Sequence, residues 1–229
     1  MLRVADCLMH VPFEGPGVFK PFLEQRGYEV RQQLVPRDGL PSELGDFLLV
    51  MGGPMSVNDS ESWLAEERVF IQSALSKNIP IVGVCLGSQL LTQALGTSVT
   101  PSPNFEIGLL PVTVSLDGER DPVFQFMPRQ FDVWQWHGEG FELPANTVLL
   151  AASEQFPVQA YRYGTHVYAL LFHLELDKEG AQRLCQECSA DVVRCGCSPE
   201  ILLDNVSSVF PQLHACAEQL ITHLTSKPG

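Results

Sequence analysis

Three short segments hold residue types that can do acyl chemistry. The first is Ile81-Val82-Gly83-Val84-Cys85-Leu86-Gly87-Ser88-Gln89, an apolar run that enters a helical stretch through a small-x-nucleophile-x-small pentapeptide. The pattern predicts a strand, a tight turn and a helix, the geometry of a nucleophile elbow with cysteine in the place of serine. Such a turn brings neighbouring backbone close, which suits Gly83 and Gly87 because neither carries a Cβ. It points the Cys85 sulfur into the crevice at the carboxyl end of a parallel sheet. It also seats Cys85 at a helix N-terminus, whose dipole favours thiolate over thiol. Taken alone, the pentapeptide fits a buried, inert cysteine equally well.

The second segment, His173-Leu174-Glu175, directly follows the apolar run Val167 to Phe172. In an extended chain, residues two apart face the same side. Glu175 can therefore reach the imidazole of His173 and select its tautomer, while Leu174 turns away into packing. This is a base with its orienting carboxylate, in the order nucleophile, base, acid. The third segment, Gly52-Gly53-Pro54-Met55-Ser56, ends the strand before the elbow strand. A free N–H of Gly53 there, beside that of Leu86, can face a developing oxyanion. Gln89 lies one helical turn after Cys85, so its carboxamide shares that face.

These segments need a frame. Asp46 to Met51 and Ile79 to Val84 read as buried strands, and Trp63 to Leu75 and Leu86 to Leu95 as helices, the second ending at Gly96. Strand, helix, strand, helix with short links predicts a parallel sheet between helical layers. Leu109–Val114, Phe131–Trp136, Val148–Ala152, Val158–Tyr163 and Val167–Phe172 are further strands, some adding antiparallel neighbours. From Asp177 onward the pattern is helical, and Ser198-Pro199-Glu200 reads as an N-cap, a proline at N1 and an acidic first turn. The expected fold is a flavodoxin-like three-layer α/β sandwich with a mostly parallel central sheet. It forms one domain over residues 1–229, with a helical C-terminal extension over about 177–229.

Composition narrows the chemistry. The chain has 229 residues, 45% hydrophobic and 18% charged, which is ordinary globular usage. A formal net charge of −13 repels phosphate backbones and anionic lipid, so neither nucleic acid nor membrane is an expected partner. With no signal-peptide core or long apolar run, the expected location is the cytoplasm, where the 7 cysteines stay reduced.

Together the three segments resemble the class I (triad) glutamine amidotransferases, in that family's order. The similarity is greatest to free-standing, GMP-synthase-like members, through Gln135-Trp136-His137-Gly138 and Ala160-Tyr161-Arg162-Tyr163-Gly164 as well. The resemblance implies that Cys85 forms a γ-glutamyl thioester, that His173 protonates the departing ammonia and then activates water, and that Glu175 orients His173. It implies oxyanion-hole amides at Gly53 and Leu86. Gln89 would contact the amino-acid end of the substrate, and Trp136, His137 and Gly138 would line the glutamine site. Leu174 stands where many members have proline, as it often does in free-standing members. No phosphate-binding G-x-x-x-x-G-K-[ST] loop is present and no cofactor is expected, so ammonia released here has no acceptor site within the sequence.

Other features read more plainly. Cys185, Cys188, Cys195 and Cys197 could supply four thiolates to zinc. However, the first two fall on a predicted helix and only Ser189 to Arg194 separates the pairs, so no metal is expected. Cys7 reads as core. The sequence names no partner for His10, His166, His214 or His223, which read as surface or packing, while Glu14 and the Glu66-Glu67-Arg68 run read as solvated faces. Three functions follow: a glutaminase passing ammonia to a separate synthetase, a self-sufficient hydrolase of γ-glutamyl amides or peptides, or a non-catalytic binding relative.

Overall fold

A computed structural model describes residues 2–226; residue 1 and residues 227–229, the end of the expected C-terminal extension, lie outside the described residues. The chain runs β1 (Arg3–Met9), α1 (Phe19–Gln25), β2 (Tyr28–Leu34), α2 (Val35–Asp38), β3 (Phe47–Val50), α3 (Ser62–Ser76), β4 (Ile81–Val84) and α4 (Leu86–Ala94). Then come β5 (Val99–Val114), β6 (Gln130–Phe141), β7 (Thr147–Ala152), β8 (Ala160–Tyr163) and β9 (Val167–Leu170). The helices α5 (Lys178–Glu187), α6 (Ser189–Arg194), α7 (Pro199–Leu202) and α8 (Val206–Thr225) complete it.

One sheet carries every strand, in the order β2-β1-β3-β4-β9-β8-β7-β5-β6. The first five are mutually parallel, and the rest join antiparallel to their neighbours. The continuously apolar strands sit at the centre because both their faces are covered. Phe47 and Leu49 of β3, Val82 and Val84 of β4, and Tyr168 and Leu170 of β9 join a core built with α1, α5 and α8. The alternate residues Leu48, Val50, Ile81, Val167 and Ala169 join the opposite core with α3 and α4. Period-two alternation of apolar side chains thus yields three layers, the sandwich expected from sequence.

Several boundaries differ from the sequence reading. Strands β5 and β6 extend to Val99 and Phe141, across a register shift between Pro101 and Glu106. Ser189 to Arg194, the segment between the two cysteine pairs, is helix α6. Strand β9 stops at Leu170, and the chain transfers its pairing to β6 through His173 N–H donating to the Trp134 carbonyl at 2.9 Å. The expected Ser198 cap holds, its side chain accepting from the Ile201 N–H at the start of α7.

Candidate active site

The carboxyl ends of β1, β3, β4 and β9 meet in one place, and each delivers a side chain or peptide there. Cys85 joins β4 to α4 with φ 50° and ψ −111°, a left-handed backbone that an L-residue adopts only when its surroundings enforce it. Its N–H donates to the Leu170 carbonyl of β9 at 2.8 Å, and its Sγ lies 3.5 Å from the Trp136 carbonyl of β6.

His173 follows β9 and is buried. Its Nδ1 lies 2.7 Å from Glu175 Oε1, and Nε2 has no hydrogen-bond partner among the described residues. One acceptor thus orients the ring: the Glu175 carboxylate faces Nδ1, and Nε2 is left unpaired among the described residues. Burial alone depresses the His173 imidazolium. The Glu175 carboxylate and the nearby Cys85 sulfur outweigh it and hold the pKa well above the ordinary histidine value. Leu174 turns into the core, as its alternation predicts.

A cleft of roughly 370 Å³ opens over this cluster. Cys85, Gly53, Gln89, Trp136, His137 and Gly138 all line it, so the structure gathers those six sequence-derived positions. His173, Glu175 and Leu86 lie behind the wall and are buried. Gln89 donates from Nε2 to the Glu139 carbonyl at 3.4 Å, and Trp136 Nε1 donates to Asp191 of α6 at 3.2 Å. His137 Nε2 sits 2.9 Å from Gln135 Oε1 and 3.3 Å from Glu106. Burial keeps its pKa below the ordinary value despite the Glu106 carboxylate. At the cleft rim the Arg194 guanidinium lies over the Phe105 ring at 3.8 Å.

Among relatives, the glutamine amidotransferase-like protein YfeJ of Salmonella typhimurium is 32% identical over 188 residues, covering 78% of each chain. The sequence profile of the family described as "Glutamine amidotransferase class-I" matches residues 23–188. This chain belongs to that family. The GMP synthase of Thermosipho melanesiensis is 32% identical over 160 residues, which is 67% of this chain but only 29% of that enzyme. A glutamine amidotransferase from Thermotoga maritima superposes with a TM-score of 0.90 at 25% identity, covering 99% of this chain and all of that one. One from Methylobacillus flagellatus gives 0.88 at 26% identity, covering 100% and 97%.

For a class I amidotransferase chain, three residues that sequence reasoning set aside lie at or beside this site. His10 and Glu67 pair in the interior, where a partnerless histidine and a solvated charge were expected. The physical reason is distance along the chain, since 57 residues separate them. Glu14 is also buried, lining the cleft instead of facing solvent. A Cβ on Gly52 would fall 2.1 Å from Glu14 Oε2 and 3.3 Å from His173 Cε1, so the carboxyl and the imidazole crowd the same glycine. His214, also expected without a partner, binds the Leu176 carbonyl at 2.9 Å. Among the described residues, no group of three or more His, Cys, Asp or Glu is arranged to hold a metal.

Burial, aided by the Glu175 charge, pushes the Glu14 carboxyl up from 4.5 to about 7, against the opposing charge of His173. Between those pH values the folded protein keeps a proton that the unfolded chain releases. Stability must therefore fall as pH rises through that window. The deficit above pH 7 is on the order of 3 kcal/mol. Glu14→Gln cannot ionise, and it should be roughly 1–3 kcal/mol more stable than the parent at pH 8, with the gain vanishing near pH 5. Urea unfolding at both pH values measures this, and a pH-independent difference would remove Glu14 as the cause.

Proposed function

We propose that this protein hydrolyses the γ-carboxamide of a glutamine-type substrate through a Cys85 thioester and supplies the ammonia to a separate acceptor or synthetase. The observation that carries the reading is the buried imidazole of His173, tied at Nδ1 to Glu175 and unbonded at Nε2, beside a cysteine on a strained elbow.

His173 takes the Cys85 proton, and the thiolate attacks the carboxamide carbon. The charge that develops on the carbonyl oxygen faces the N–H groups of Gly53 and Leu86. Neither donates to a protein acceptor among the described residues. Collapse of the tetrahedral intermediate breaks the C–N bond, and His173 returns the proton to the departing nitrogen as ammonia. Water, deprotonated by His173, then cleaves the thioester to glutamate and restores the thiol. Glu175 holds the imidazole in the tautomer both steps need. Gln89, Trp136, His137 and Gly138 surround the rest of the substrate.

A second reading uses the same chemistry without ammonia transfer. The cleft continues past Trp136 to Phe105, Asp191 and Arg194, leaving room for a leaving group larger than ammonia, as in a γ-glutamyl peptide. Incubating the purified protein with glutamine and a γ-glutamyl peptide panel, and following glutamate release, separates the two. Release from peptides alone would end the ammonia-donor reading. A glutamine-mimicking electrophile should label Cys85 and spare the other six cysteines; no label at Cys85 would favour a non-catalytic binding role.

A further inference from the structure

The Gly52–Gly53 peptide is flanked on both sides by residues without a Cβ, so nothing intrinsic prevents it from turning over. Its orientation matters, because in a planar trans peptide the carbonyl of one residue and the N–H of the next point in opposite directions. Whatever grips the Gly52 carbonyl therefore aims the Gly53 N–H.

That grip comes from His10, the residue after β1. Its Nδ1 lies 2.9 Å from the Gly52 carbonyl oxygen, and its Nε2 lies 3.1 Å from both carboxylate oxygens of Glu67 on α3. The side chains of both residues are fully buried. Each ring nitrogen faces only an acceptor, so each must carry a proton for the pair to be satisfied. Burial opposes the resulting charge. Glu67, with the Gly52 carbonyl and the more distant Glu14, reverses it and raises the His10 pKa above the ordinary value. The Trp63 ring stacks on the imidazole at 5.4 Å and 22°. A Cβ on Gly53 would fall 2.9 Å from His10 Cβ and 2.9 Å from Leu86 Cδ2, and Gly53 lines the cleft with Cys85.

We propose that His10, held by Glu67, is a positioning residue that latches the Gly52 carbonyl and thereby keeps the Gly53 N–H directed into the cleft for the oxyanion. This rests on the proposed oxyanion role of Gly53. A purely structural role, with the pair only tying β1 to α3, predicts different behaviour.

The test compares His10→Leu, which cannot donate, with His10→Asn, whose amide nitrogen can stand in for Nδ1. Losing an oxyanion donor outright costs about 10²- to 10³-fold in kcat. A freed peptide that still samples the right orientation should lose less, so His10→Leu is expected to lose roughly 10- to 100-fold in kcat with KM little changed. His10→Asn should recover most of it. Alkylation of Cys85 by iodoacetamide proceeds by displacement at a methylene and forms no oxyanion, so its rate, followed by mass spectrometry, should stay within about twofold of the parent in both variants. Parental kcat in His10→Leu would overturn the latch. So would an Asn variant no better than Leu with alkylation falling in parallel. Crystal structures of both variants decide the matter independently of turnover: the Gly52 carbonyl should turn in His10→Leu and stay in His10→Asn. An unmoved peptide in His10→Leu would refute the proposal. If the parent releases glutamate from no γ-carboxamide, the proposed activity fails while the crystal comparison still judges the latch.

Discussion

Cys85→Ala is expected to abolish turnover of every γ-carboxamide, with kcat reduced at least about 10⁴-fold, because the other thiol lining the cleft, Cys188, has its pKa pushed up by burial to about 12 and does not sit on the elbow. The fold should survive. Alanine accepts the same backbone angles at the same cost, so unfolding free energy should stay within about 1 kcal/mol of the parent. Cys85→Gly should be equally inactive yet more stable than Cys85→Ala by roughly 1–3 kcal/mol, since glycine occupies φ 50° without strain. Steady-state glutamate release and urea unfolding of the three proteins measure both effects. Retained turnover in Cys85→Ala would remove the thioester mechanism. A glycine variant no more stable than the alanine one would show that the elbow stores no strain.

The largest effect on folding is expected two residues further on. A Cβ on Gly87 would sit 2.0 Å from the Val50 carbonyl oxygen and 2.5 Å from its carbon. Both are backbone atoms of β3, which pairs with β1 on one side and β4 on the other. Neither can retreat without prising apart the centre of the sheet. Overpacking of an ordinary core costs about 1–3 kcal/mol, and a clash with backbone belongs at or beyond the top of that range. Gly87→Ala should therefore lose about 3 kcal/mol or more, and displacement of α4 from the Gly52–Gly53 turn should remove activity from the protein that still folds. Gly96→Ala is the control. Gly96 has φ 90° but nothing within 4 Å of its absent Cβ, so only the left-handed backbone is penalised, by about 1–2 kcal/mol. Equal losses in the two variants would mean that the close approach of α4 to β3 is not what requires glycine.

The elbow could be read from sequence because its physics is local. A turn between a buried strand and a helix has to expose its middle residue, and two glycines bracket that residue within five positions. The His173–Glu175 pair was legible for the same reason, although the chain there has already left β9 and its pairing passes to Trp134 of β6. Trp136, two residues beyond that contact, carries its carbonyl to Cys85. Local patterns also placed the core strands, whose alternate residues feed opposite layers. The polar stretch near Ser102 hid the N-terminal half of β5, because the pairing that makes it a strand comes from Glu139, Gly140 and Phe141 of β6.

Charges misled where the chain closes over long separations. Glu67 lies in a run of charged residues on a helix, a pattern that ordinarily faces water. Here one helix face turns inward onto His10, 57 residues away. Glu14 follows Phe13 in a glycine- and proline-rich loop with nothing local to bury it, until β1 and β9 bring that loop against Gly52 and His173. The sequence by itself singled out Cys85, His173, Glu175 and the layered frame that holds them, since each depends on residues a few positions apart. The tertiary structure decided the electrostatic setting: which carboxyls lose their water, which imidazole gains two acceptors, and which way a glycine peptide points. Those are properties of burial and distance in space, and a one-dimensional pattern does not contain them.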